Sequence, residues 1–169
     1  MDLGLEGAKV MILGASRGIG RMTAEIFAAE GADLAICARN LDALEVAKAD
    51  LVVVGKGSVY AATADLADAE SLRSFVQAGI QELGGLDILI HNATGISGQD
   101  EAGWQGTFEV DVLGAVRAIE VAQPILEKSE NASITFIGST ASKQWFGRWS
   151  SYGPMKGAMR VLANEMGQA

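Results

Sequence analysis

Three features of the sequence predict a doubly wound α/β fold on a parallel sheet. Short apolar runs alternate strictly with longer amphipathic ones, the pattern of strand–helix–strand units. The short runs are almost wholly apolar, as in strands buried on both faces. The first run ends in a glycine-rich turn that opens straight into a helical pattern, which is how such folds begin their first crossover.

The strands are expected at Lys9–Leu13, Asp33–Ala38, Val59–Thr63, Leu86–Ile90 and Ser133–Ile137. A first helix over Gly18–Ala29 brings Ile19, Met22, Ile26 and Phe27 to helical spacing, with Gly31 as its C-cap. Asn40 caps a helix carrying Leu41, Leu44, Val46 and Ala47, and Asp68 caps one carrying Leu72, Phe75, Val76 and Ile80. A helical stretch is expected at about Trp104–Leu126, and a last one at Ser151–Met166 with Met155, Met159, Leu162 and Met166 on one face. The 169 residues read as one domain, 1–169, with no internal repeat or linker.

Composition narrows the function classes. Thirteen Lys+Arg against 21 Asp+Glu give a net charge of −8. An acidic chain without a basic run is unsuited to a nucleic-acid backbone. One cysteine, Cys37, excludes an intrachain disulfide and a cysteine zinc site, and one histidine, His91, excludes a multi-histidine metal site. No segment reaches the ~18 apolar residues of a membrane helix. The acidic start, Met1 to Glu6, does not resemble a signal peptide, so a cytoplasmic setting is expected.

The glycine turn is Gly14-Ala15-Ser16-Arg17-Gly18-Ile19-Gly20. Gly14 allows the sharp turn, Gly18 lets backbone approach a pyrophosphate, and Gly20 lets the helix sit close to the sheet. The helix N-terminus offers N–H groups to phosphates. The second strand ends Cys37-Ala38-Arg39-Asn40, without the acid that would bind a ribose 2′-hydroxyl. Arg39 and Arg17 suit a 2′-phosphate instead. NADP(H) is therefore expected over NAD(H), which remains possible.

Further motifs follow in order: Asp65-Leu66 after the third strand, His91-Asn92-Ala93-Thr94 after the fourth, Ser139 after the fifth, and Tyr152-Gly153-Pro154-Met155-Lys156. This set resembles the short-chain dehydrogenase/reductase family, in particular its 3-oxoacyl-(acyl carrier protein) reductase-like members. The resemblance implies a Rossmann-type sheet and an oxidoreductase acting on a carbonyl/secondary-alcohol pair. It implies that Asp65 and Leu66 contact adenine and that Asn92 and Ala93 lie along the cofactor. Tyr152 would be the general acid/base, Ser139 would hold the substrate oxygen, and Lys156 would hold the nicotinamide ribose. Tyr152 and Lys156, four apart on a helix, share one face. There the ammonium favours the phenolate. A small-molecule substrate and a homo-oligomer, dimer or tetramer, are implied as well.

The sequence departs from the family pattern at four places. Leu13 stands for the usual Thr, His91 for the first Asn of Asn-Asn-Ala-Gly, and Thr94 for its Gly. Asp111 stands where the family has a water-holding Asn, and an ionised Asp cannot donate to that water. Asp111 is carried as a fourth catalytic candidate that would also meet the charge of Lys156. His91 is expected to be a hydrogen-bonded turn residue under the cofactor, and Cys37 a core residue. Trp145, Phe146 and Trp149, between Ser139 and Tyr152, are candidates for a substrate wall suited to an apolar or ring-shaped compound.

Family members run to about 250 residues. The resemblance therefore implies a C-terminally incomplete chain of about five strands. Strands six and seven would be missing, Ser133–Ile137 would be an open edge, and Met and Leu of the last helix would be exposed. Three readings stay open: an NADP-dependent oxidoreductase, a nucleotide-binding protein without turnover, and a chain completed by pairing with another.

Overall fold

The computed structural model describes residues 3–168. Met1 and Asp2 of the acidic N-terminal run, and Ala169 at the end of the expected domain, lie outside the described residues. Five strands, β1 (Lys9–Leu13), β2 (Asp33–Ala38), β3 (Val59–Thr63), β4 (Ile88–His91) and β5 (Ser133–Phe136), form one parallel sheet in the order β3-β2-β1-β4-β5. The order reverses between β1 and β4, where a doubly wound sheet opens its ligand crevice. The helices are α1 (Gly18–Ala29), α2 (Leu41–Val54), α3 (Ala69–Leu83), α4 (Glu101–Thr107), α5 (Gly114–Leu126) and α6 (Tyr152–Met166).

The pleat divides the core in two. Val10 and Ile12 of β1 point to one face and pack with Ala24 and Ala28 of α1 and Leu44 and Leu51 of α2. Met11 and Leu13 point to the other and pack with Leu72, Phe75 and Val76 of α3, Ala118 of α5 and Met159 of α6. The expected all-apolar strands therefore serve both layers. Local signals also hold: Asn40 Oδ1 accepts from Ala43 N at 2.7 Å and Asp68 Oδ1 from Ser71 N at 2.9 Å, capping α2 and α3.

Four expectations are corrected. Helix α1 turns Ile19, Met22 and Ile26 outward, with Ile19 62% exposed. Its sheet-facing stripe is Gly20, Ala24 and Ala28, small residues that bring the helix axis close to β1 and leave the larger side chains on the flank. Glu30 is the C-cap of α1, and Gly31, one residue on, takes the left-handed turn at φ +85°. The stretch expected at Trp104–Leu126 begins at Glu101, and between α4 and α5 it widens into a π-helical turn over Phe108–Leu113. On α6, Met159 is buried and Leu162 and Met166 pack against the core, so the large hydrophobic exposed there is Val161.

Strand β5 lies at the sheet edge. Ile134 and Phe136 pack against the core shared with α6, while Ser133 and Thr135 are exposed on the opposite face. The expected open edge is present among the described residues.

Candidate active site

Groups from four strand ends converge at the carboxyl edge of the sheet. Gly14 takes φ +86°, and a Cβ there would meet Ala93 Cβ at 2.9 Å. A Cβ on Gly20 would overlap the carbonyl of Gly14 and the Asn92 side chain. Asn92 Nδ2 donates to that same carbonyl at 2.7 Å and ties the β4 loop to the glycine turn. Gly18, at φ +59°, faces open space. The N-terminus of α1 has no side-chain cap, unlike α2 and α3, so its N–H groups stay available to an anion.

A groove of about 1350 Å³ runs along this edge. Of the expected cofactor residues, Gly14, Ser16, Arg17 and Gly18 line it at the first turn, and Arg39 at the tip of β2. Asp65, Leu66, Asn92 and Ala93 line its far wall. This is the shape a dinucleotide needs: glycine backbone at the middle, cations at one end, and small residues where a Cβ would fill the cradle. Four expected cofactor residues do not line the groove. The Ile19 side chain turns to solvent and Gly20 is buried in the helix–sheet contact. Tyr152 and Lys156 lie beyond the loop after β4.

That loop is stitched to the start of α6. Ser151 N donates to Gly98 O at 3.0 Å, and Ser151 Oγ donates to Gly103 O at 3.0 Å and lies 2.7 Å from Thr107 Oγ1. These partners were not found from the sequence, because a Ser beside a Tyr carries no motif of its own. Behind the loop is a second pocket of about 720 Å³, lined by Ser139, Tyr152 and the aromatic segment expected between them. Ser139 Oγ accepts from Ala141 N at 3.2 Å, capping a 3₁₀ turn at Thr140–Ser142, and its own O–H stays free to donate. The half-buried Tyr152 makes no side-chain hydrogen bond among the described residues.

Lys156 is not a solvated cation. Its residue is 2% exposed, its Nζ lies 5.9 Å from the Tyr152 ring centre, and it forms an ion pair with Asp111 Oδ2 at 3.2 Å. Nζ also donates to Ile137 O at 3.1 Å and lies 3.9 Å from Met159 Sδ, a weak acceptor. Asp111 is wholly buried and accepts from Gly95 N at 2.8 Å and Thr94 Oγ1 at 2.9 Å. The carboxylate is thus held by an ammonium, an amide and a hydroxyl, which is what a buried charge requires. The π turn carries Asp111. One wider turn of this kind re-aims a helical side chain, and such turns often occur at functional sites.

His91, 1% exposed at the end of β4, reaches Val110 O of that turn from Nε2 at 3.1 Å. A carbonyl only accepts, so Nε2 carries the proton and Nδ1 is left without a partner. Burial first, and Lys156 second, push its pKa down to about 4. His91 is therefore neutral and braces the turn from beneath, outside the lining of the groove. Three departures from the family pattern meet here: His91 and Asp111 are buried beside Lys156, and the exposed Thr94 donates to Asp111 from the loop.

His91 makes stability depend on pH. Its folded pKa lies below the ordinary 6.5, so its contribution is fully present above pH 6.5 and is lost as pH falls toward 4. Urea unfolding should show a loss of up to about 3 kcal/mol across that window. A His91→Gln variant, which keeps a donor but does not titrate, should flatten this part of the curve. An unchanged curve would mean that the ring is not held neutral. Cys37 is buried and its thiol is pushed up to about 12 by burial, so it is a core residue without reactivity.

A parallel sheet with a glycine cradle at its switch point, beside Ser139, Tyr152 and Lys156, is the layout of a dinucleotide-binding fold. The sequence profile described as short chain dehydrogenase matches residues 8–169. The chain belongs to that family. It is 33% identical to isoepoxydon dehydrogenase of Penicillium expansum, over 98% of this chain and 66% of the relative. The RhlG/NADP active-site complex of Pseudomonas aeruginosa superposes with a TM-score of 0.86 at 30% identity, covering 96% of this chain and 66% of that one. A short chain dehydrogenase/reductase of Burkholderia phymatum in complex with NAD gives a TM-score of 0.88 at 25% identity, covering 96% and 59%. The chain thus spans 59–66% of the length of these relatives.

Proposed function

We propose that the chain is an NADP(H)-dependent oxidoreductase acting on a carbonyl/secondary-alcohol pair, with Tyr152 as general acid/base. The observation that carries this is the juxtaposition of Ser139 and Tyr152 on one pocket wall, with the buried Lys156 ammonium 5.9 Å from the Tyr152 ring. When bound, the nicotinamide supplies the hydride donor or acceptor. Ser139 donates to the substrate oxygen and fixes its approach. Tyr152 gives or takes the proton at that oxygen, with the Lys156 ammonium 5.9 Å from its ring centre. Asp111 holds Lys156 in place and meets part of its charge. A ribose hydroxyl would take the Lys156 proton that now faces sulfur, the weakest of its three contacts.

Arg17 and Arg39 lie in the groove and no acid stands at the tip of β2, which supports NADP(H) over NAD(H). Family neighbours carry NADP in one case and NAD in another. Isothermal titration should give a lower Kd for NADPH than for NADH, and Arg39→Ala should narrow the difference about tenfold. A Kd for NADH equal to or below that for NADPH contradicts the preference.

The activity itself is tested by NADPH oxidation against a panel of ketones, run beside cofactor binding. Binding without oxidation would favour a nucleotide-binding protein without turnover. A single domain, a homo-oligomer, a small-molecule substrate and a cytoplasmic setting belong to the same reading. The exposed edge at β5 supports assembly, and solution mass tests it.

A further inference from the structure

We propose that the pocket beside Tyr152 takes a carbonyl substrate that combines a flat ring with an anionic group. The inference rests on reading that pocket as the substrate site. All three tryptophans of the chain, Trp104, Trp145 and Trp149, line it together with Phe146. Trp145, Phe146 and Trp149 are 78%, 63% and 58% exposed, and no described ring stacks on them. Large aromatics clustered on an open wall mark a binding surface for a flat apolar body.

The charge on the same wall is unusual for this chain. Lys143 and Arg148 line the pocket, no carboxylate does, and neither cation enters an ion pair among the described residues. From Asn131 to Asn164 the sequence holds four cations, Lys143, Arg148, Lys156 and Arg160, and not one of the 21 acidic residues. A protein of net charge −8 has therefore kept this wall free of negative charge. Neither cation is engaged by the cofactor reading, because Arg17 and Arg39 stand in the other groove. Lys156 is spent on Asp111. Lys143 and Arg148 remain for a ligand, and a guanidinium pairs best with a carboxylate or phosphate. Both are exposed, so their effect is modest and weakened by salt. Acyl chains without charge and cationic amines fit this wall less well.

The test uses the chain with oxidised NADP, which permits ketone binding without turnover. Tryptophan fluorescence reports on this pocket alone, since all three tryptophans line it. The probes are 4-acetylbenzoate, neutral acetophenone, and 4-oxopentanoate, which has charge and carbonyl but no ring. The expected result is that 4-acetylbenzoate binds about tenfold more tightly than either of the others at low salt, a difference of about 1.4 kcal/mol. That preference over acetophenone should shrink at 0.5 M salt and vanish in a Lys143→Gln/Arg148→Gln variant. Equal or weaker binding of 4-acetylbenzoate, or a preference that survives the double substitution, overturns the proposal. If the preference holds but NADPH reduces none of the three ketones, the ligand class stands and the redox reading falls.

Discussion

Replacing Tyr152 with phenylalanine is expected to lower kcat for ketone reduction by about 10²–10⁴-fold, the usual contribution of a positioned acid/base. The variant removes one oxygen and keeps the ring. That oxygen makes no hydrogen bond among the described residues, so stability should not change. The ring also stands apart from the groove that Gly14, Arg17 and Asp65 line, so the NADPH Kd should stay within about twofold. The pattern to look for is a lost kcat with an intact Kd and an intact urea midpoint. A variant that turns over at the original rate would remove Tyr152 from the chemistry.

The second large effect concerns the buried pair. Asp111→Ala leaves Lys156 charged, 2% exposed and facing only Ile137 O and a sulfur. It also strips the acceptors from Gly95 N and Thr94 Oγ1. Breaking one side of such a pair costs about 3–5 kcal/mol. Urea unfolding should show that loss. An apolar double variant, Asp111→Leu/Lys156→Met, should recover the part of the loss that comes from the unpaired charge, while Gly95 N stays without its acceptor. It should not recover turnover, which separates the structural task of the pair from the chemical one. Asp111→Asn keeps an acceptor for Gly95 N and removes the charge. Undiminished activity in that variant would show that the acid itself is not needed. A loss below about 1 kcal/mol in Asp111→Ala would mean that the pair does not hold Lys156 in place.

Much of the fold was legible because its signals are local. The apolar runs of β1 and β2 gave both core layers, since a strand buried on two faces needs no alternation. Asn40 and Asp68 marked their helix starts through a single side-chain bond each. The outward turn of Ile19, Met22 and Ile26 was not legible. Periodicity finds a stripe but does not say whether a neighbouring stripe of Gly and Ala wins the sheet. The Phe108–Leu113 π turn was hidden for a similar reason, because one extra residue in a helical turn leaves the apolar spacing almost unchanged.

At the site, the motif residues and their order were readable, and so was the meeting of Asp111 with Lys156. What joins them was not. The bonds from Thr94 and His91 to the 108–113 turn span 17 and 19 residues, and Ser151 reaches Gly98 across 53. Such long-range contacts are set by how the loop after β4 packs against α6. One clue was available: an acid inside the apolar run Val110-Asp111-Val112-Leu113 needs a buried partner, and the only lysine in the last helix was at hand.

The most direct test of the account is isotope transfer. The chain is incubated with NADPH deuterated at the transferable C4 position and a ring ketone, and the alcohol is weighed by mass spectrometry. The account predicts one deuterium on the carbinol carbon, formed about 10²–10⁴-fold more slowly in Tyr152→Phe. Bound NADPH with no deuterated alcohol from any ketone of the panel would contradict it.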